Sequence, residues 1–154
     1  MIFDTFELIK KYEGKKFDNS LSQAGLWLKY KLEKVEKGYV EVSMQVRQEM
    51  GNPMKQLHGG MMSMLIDEIS GLSFYTLNKG TFYTTVNLHV DFLYSVAVGD
   101  TIFAKAKVLR AGKKIANVEC SVYNQKNELL AHSTSNLVNT EKEIFNLIDI
   151  PNEL

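Results

Sequence analysis

Five residues of this chain have the types and spacing to do chemistry. Asn52 stands six residues before His58, His58 runs straight into Gly59-Gly60, and Asp67 follows nine residues after His58. Gly60 opens a long apolar segment that reads as a helix. The first amides of a helix have no partner within it, and they make a natural cradle for negative charge. Two glycines at a helix start give poor propensity, so a close backbone approach explains them better than a plain turn. Asn52, just before Pro53, is a natural turn starter. Asp67 lies inside the apolar segment, where a carboxylate must leave water, a costly placement unless chemistry requires it. An oxyanion cradle with a candidate base nearby points to attack on a carbonyl.

Asp67 has Ser63 four residues before it and Gly71 four residues after it, a small and polar groove on an otherwise apolar helix. That groove suits a closely approaching ligand and makes Ser63 a candidate substrate contact. Glu68 sits about 100° further round, between Met64 and Leu72, and is expected as a rim residue or a salt-bridge partner. Met50, Met54, Met61, Met62 and Met64 crowd this region. They either fill core or, since methionine adapts to irregular shapes, line an acyl pocket with Met61 in its wall. Arg110, Lys113 and Lys114 surround a turn and are candidates to meet a nucleotide phosphate. His89 and His132 have no ligand-like spacing to His58, so no metal site is expected.

Bulk properties bound the class. The 154 residues suit one domain, 1–154, with a real core. Eighteen basic residues balance eighteen acidic ones, which argues against nucleic acid and against polybasic docking on membranes. The single cysteine, Cys120, excludes an internal disulfide and reads as a small core hydrophobe. The first residues carry acid where a signal peptide would carry base. The most apolar segment, 61–77, contains Asp67 and Glu68, so a membrane span is not expected. A cytoplasmic location fits these features.

The elements that must position the candidates follow from periodicity. Residues 2 to about 13 read as a short leading helix. Leu26, Leu28, Tyr30 and Leu32 alternate with polar or amphipathic residues and read as a strand. A turn at Glu36-Lys37-Gly38 leads to a second strand through Val40, Val42, Met44 and Val46. Residues 48–58 form a loop, and Gly59 to about Leu77 is a helix apolar round nearly its whole circumference, ended by Asn78-Lys79-Gly80. Four alternating strands follow: 82–94 with Thr84, Val86, Leu88, Val90 and Phe92 on the inner face, then 102–108, 116–122 and 129–138. Past Glu141, Ile144-Phe145 and Leu147-Ile148 read as a docking last turn. Hairpin-length turns make most of the sheet antiparallel. A helix apolar all round requires the sheet to curl about it, or a partner to cover the rest.

This layout, with Asn52, His58-Gly59-Gly60 and Asp67 at their spacings, resembles the hot-dog-fold acyl-CoA thioesterases of the phenylacetate-pathway type, over roughly residues 26–139. The resemblance implies an α+β fold: an antiparallel sheet of about six strands curled round one long central helix, assembled as a homodimer or a dimer of dimers. It implies hydrolysis of acyl-CoA at the subunit interface, without metal or redox cofactor. Gly59 or Gly60 supplies the amide that polarises the thioester carbonyl, Asn52 and His58 support that loop, and Asp67 is general base or nucleophile. The family's strand hydroxyl falls at Thr85. By simple alternation Thr85 shares a face with Tyr83, Asn87, His89 and Asp91, turned from the chain's own helix unless a bulge or a dimer interface intervenes. Two other readings stand beside hydrolysis: hydration or dehydration of acyl thioesters on the same fold, which needs a differently placed histidine, and a non-catalytic acyl-CoA binding module.

Overall fold

The structure is a computed structural model and describes residues 4–144. Six strands form one antiparallel sheet in the order β1-β2-β4-β5-β6-β3. Their ranges are β1 Lys31–Glu36, β2 Tyr39–Gln45, β3 Thr81–Phe92, β4 Thr101–Ala111, β5 Ile115–Tyr123 and β6 Leu129–Glu143. The helices are α1 Thr5–Lys10, α2 Gln23–Leu28 and α3 Gly59–Tyr75. The sheet curls round α3, the arrangement expected of a helix without a polar face.

Side chains that alternate along a strand explain the fit. Much of the buried set of the middle strands is small: Ala104 and Ala106 of β4, Ala116 and Cys120 of β5, Ala131, Ser133 and Ser135 of β6. Small residues let the helix lie close, and Leu65, Ile66 and Ile69 of α3 are fully buried there. Each such side chain contributes about 2 kcal/mol by leaving water. Cys120 lies in this layer, and burial pushes its thiol up to about 12.

Alternation misread three places. The stretch 26–33 is not one strand: residues 23–28 form α2, Lys29 turns the chain with φ +56°, and β1 begins at Lys31. Tertiary partners override the pattern here. Ser22 caps the start of α2 through Gly25 N, and Arg47 donates to the Trp27 and Leu28 carbonyls that a helix end leaves open. Residues 141–143 continue β6, although the sequence reads as polar tail. Phe3, Phe145, Leu147 and Ile148 lie outside the described residues. The third misreading, in β3, bears on the site.

In β3 the pairing with β6 slips between Thr85 and Asn87, so Val86 is an extra residue at a bulge. Before the slip Tyr83 is buried while Thr84 and Val86 are exposed; after it Leu88 and Val90 turn inward. The even-numbered inner face therefore holds only beyond the bulge. Thr85 faces the chain's own helix.

Candidate functional site

The loop before α3 is built by Asn52. Its Oδ1 accepts from Met54 N at 2.9 Å and Gln56 N at 3.1 Å, closing a turn in which Lys55 takes φ +58°. Two backbone donors on one atom identify that atom as the oxygen. The side-chain amide keeps its two N–H donors, which have no partner among the described residues.

His58 caps α3. Its Nδ1 accepts from Gly60 N at 2.9 Å, so neutral His58 carries its proton on Nε2. A Cβ at Gly60 would lie 3.1 Å from that nitrogen, which is why the position is tight for anything larger than glycine. The Gly60 amide is thus consumed within the loop. The Gly59 amide has no partner among the described residues. Of the two glycines, Gly59 is the one with an N–H to give. Beside it lies a cleft of about 230 Å³ lined by Asn52, Gly59, Met62, Phe92, Tyr94 and their neighbours.

Two turns along α3, Asp67 is exposed at the edge of a larger cavity of about 300 Å³. Thr85 donates to Asp67 Oδ1 at 2.7 Å, delivered by the Val86 bulge. That bond fixes the carboxylate and leaves Oδ2 for chemistry. Gly71, Leu72, Tyr75, Phe82 and Phe17 continue the cavity wall. Burial pushes the Tyr75 hydroxyl well above its usual range, so it stays protonated; it donates to Tyr83 O at 3.2 Å.

Several candidates take other places. Ser63 donates to Gly59 O at 3.0 Å, a bond back to its own helix, and neither Ser63 nor Met61 lines either cavity. No methionine among the described residues lines the larger cavity; Met50 and Met62 are buried in the core, whereas Met54 is exposed. Glu68 has no salt-bridge partner among the described residues. It is half-buried in the cavity wall, where Ser20 Oγ donates to its Oε1 at 2.9 Å and Tyr30 OH at 3.3 Å. Burial is the largest influence on it and holds its carboxyl above the usual range, with the Asp67 charge adding to the rise. Alternation could not find this group, because Ser20 and Tyr30 reach it from distant sequence. Arg110, Lys113 and Lys114 are exposed round the β4–β5 turn. The described residues hold no cluster of three or more potential metal ligands, and no helix among them is long and apolar enough to cross a membrane.

Asn52 and Gly59 do not meet Asp67 within one chain. Eight residues of helix separate Gly59 from Asp67, about 12 Å along the axis. Phe92, at the far end of β3, lies against Gly59, at 3.4 Å from where a Cβ would be. Thr85, seven residues back along that strand, holds Asp67. The donor half and the base half are therefore laid out apart along β3, and β3 is an edge strand of the sheet.

A family model described as thioesterase superfamily matches residues 54–131, half of the chain and most of this site. The chain belongs to the thioesterase superfamily. Human acyl-coenzyme A thioesterase 13 is 28% identical over 88 residues, which cover 57% of this chain and 63% of that protein. The superfamily chain thus spans just under two thirds of the length of this curated relative. Among solved structures, smu.793 of Streptococcus mutans, bound to acetyl CoA, aligns with TM-score 0.70 and 28% identity over 74% of this chain and 90% of that one. The PaaI protein of the E. coli phenylacetic acid degradation operon aligns with TM-score 0.78 over 91% of this chain and 96% of that one, at 20% identity. These likenesses establish the hot-dog fold expected from the resemblance.

Proposed function

We propose that this protein hydrolyses acyl-CoA thioesters at two equivalent sites of a homodimer, each built from both chains. The observation that carries the reading is the pair of half-sites. Unspent donors, Gly59 N–H and the Asn52 amide, stand at the Phe92 end of β3, and a carboxylate steadied by Thr85 stands seven residues back along the strand. An antiparallel pairing of two β3 edges about a two-fold axis near residues 88–89 brings Phe92 and Gly59 of one copy opposite Thr85 and Asp67 of the next. Exposed Val86, Phe92, Leu93 and Tyr94 along and just beyond this edge supply apolar surface for such an interface. The names of the human relative and of the acetyl-CoA complex support acyl-CoA as the substrate class.

The chemistry follows from the donors. Gly59 N–H and the Asn52 amide hold the thioester oxygen and bind it more strongly as it becomes an oxyanion, each donor contributing roughly 10²–10³ in rate. Asp67 Oδ2 takes a proton from water as the water oxygen attacks the carbonyl carbon. Collapse of the tetrahedral intermediate breaks the carbon–sulfur bond, and the proton held by Asp67 passes to the departing thiolate. The same position also permits direct attack by Asp67, giving a mixed anhydride that water then cleaves. His58 Nδ1 is engaged in capping α3 and no carboxylate among the described residues pairs with the ring, which disfavours the hydration and dehydration readings that need a histidine acid/base set against a carboxylate.

Thiol release from a graded panel of aromatic and aliphatic acyl-CoA esters tests this. We expect turnover in the native protein and a loss of at least about a hundredfold in Asp67→Asn, with circular dichroism unchanged. Full activity in Asp67→Asn removes Asp67 from the mechanism.

A further inference from the structure

The cavity beside Asp67 is mostly apolar, with Phe17, Leu72, Tyr75 and Phe82 in its wall, and Asn19, Ser20, Ser22 and Glu68 form a polar patch in it. A half-buried carboxyl in such a wall is costly. No cation pairs with it among the described residues. The hydrogen bonds from Ser20 and Tyr30 end on Oε1, and the Ser22 hydroxyl also lies close enough to stabilise the charged carboxyl. A carboxylate offers about four acceptor positions, so part of its capacity is unspent. A mere tie between α3 and the segments flanking α2 would need only a neutral acceptor at Oε1. The chain also makes room for the carboxyl: a Cβ at Gly25 would fall 2.0 Å from Oε1.

Resting on acyl-CoA as the substrate, we propose that Glu68 is a specificity-determining residue. Its carboxyl, oriented by Ser20 on the cavity wall, receives a hydroxyl group carried by the acyl chain beyond the thioester. A hydroxyl donates to a carboxylate and accepts from a carboxylic acid, so it suits Glu68 in either protonation state. An ammonium or a second carboxylate suits only one. Burial favours the neutral form of Glu68, which makes this tolerance matter. A plain alkyl chain in the same place leaves the carboxyl stripped of water without a partner.

The test compares plain and ω-hydroxy acyl groups over a graded set of chain lengths, in two measurements. Thiol release gives kcat/KM for each CoA ester. Calorimetry gives the affinity of the matching CoA thioethers, which cannot be cleaved. We expect the hydroxylated member of one or more pairs to be favoured by about ten- to a hundredfold in both measurements. Glu68→Leu abolishes the preference and Glu68→Gln keeps part of it. Equal values within every pair in the native protein overturn the inference. So does a full preference surviving in Glu68→Leu or, where that variant fails to fold by circular dichroism, undiminished in Glu68→Gln. Thioether preference without any thiol release overturns hydrolysis and leaves this inference standing; thiol release without preference does the reverse.

Discussion

Two inactive variants should repair each other. Asn52→Asp keeps an oxygen for the Met54 and Gln56 amides but removes the side-chain N–H donors. Asp67→Asn removes the base and leaves an isosteric group for Thr85. Each variant alone should fall to roughly one hundredth of native activity or less. If every site takes Asn52 from one chain and Asp67 from the other, a dimer of one chain of each kind has one site with both native residues and one with neither. Unfolding and refolding a one-to-one mixture makes about half of the dimers mixed, each with half its sites intact, so about one quarter of native activity returns. The assay is thiol release from an acyl-CoA ester after co-refolding, with two different affinity tags confirming that mixed dimers formed. Activity that stays at the level of the separate variants, despite confirmed mixing, refutes the shared site and with it the assignment of the two halves of β3 to one reaction.

Other outcomes follow from the local geometry. His58→Ala removes the acceptor that caps α3 and should cost about 1 kcal/mol by urea denaturation, with His58→Asn restoring most of it. Gly25→Ala forces the Glu68 carboxyl from its place beside α2 and should cost about 1–3 kcal/mol in the same measurement. Glu68 has a raised carboxyl pKa when folded, so between the ordinary value of 4.5 and its folded value the native state holds more protons than the unfolded state. Stability from this group is therefore full at acid pH and is lost as pH rises through the folded value. Glu68→Gln should flatten that part of a denaturation-midpoint profile, and an unchanged slope would count against the burial argument.

The sequence was most informative where one local rule governs. The length of α3 was legible from an apolar run bounded by glycines, and the paired strands from alternation between short turns. Asn52, His58 and Asp67 stood out by spacing as candidates, yet their hydrogen-bond partners did not. Only the hydrogen bond from Gly60 to His58 shows which glycine amide is spent and which remains. Alternation placed Thr85 on the wrong side because one extra residue shifts the phase of a strand, and nothing local in Thr84-Thr85-Val86 announces it. The α2 segment was read as strand because its helical end depends on Arg47, nineteen residues beyond Leu28. Glu68 looked peripheral for the same reason, since its partners arrive from residues 20 and 30. In each case a contact remote in sequence decided a question that local pattern had answered differently.

The extra residue at Val86 also bears on what the outer rim of the sheet will tolerate. A long uninterrupted margin would zip onto any extended peptide that met it, the usual route to clumping and fibrils. At Val86 the row of donors and acceptors falls out of step and the ribbon bends. A straight intruder loses its match there. One misfit residue thus guards the margin against extended strangers.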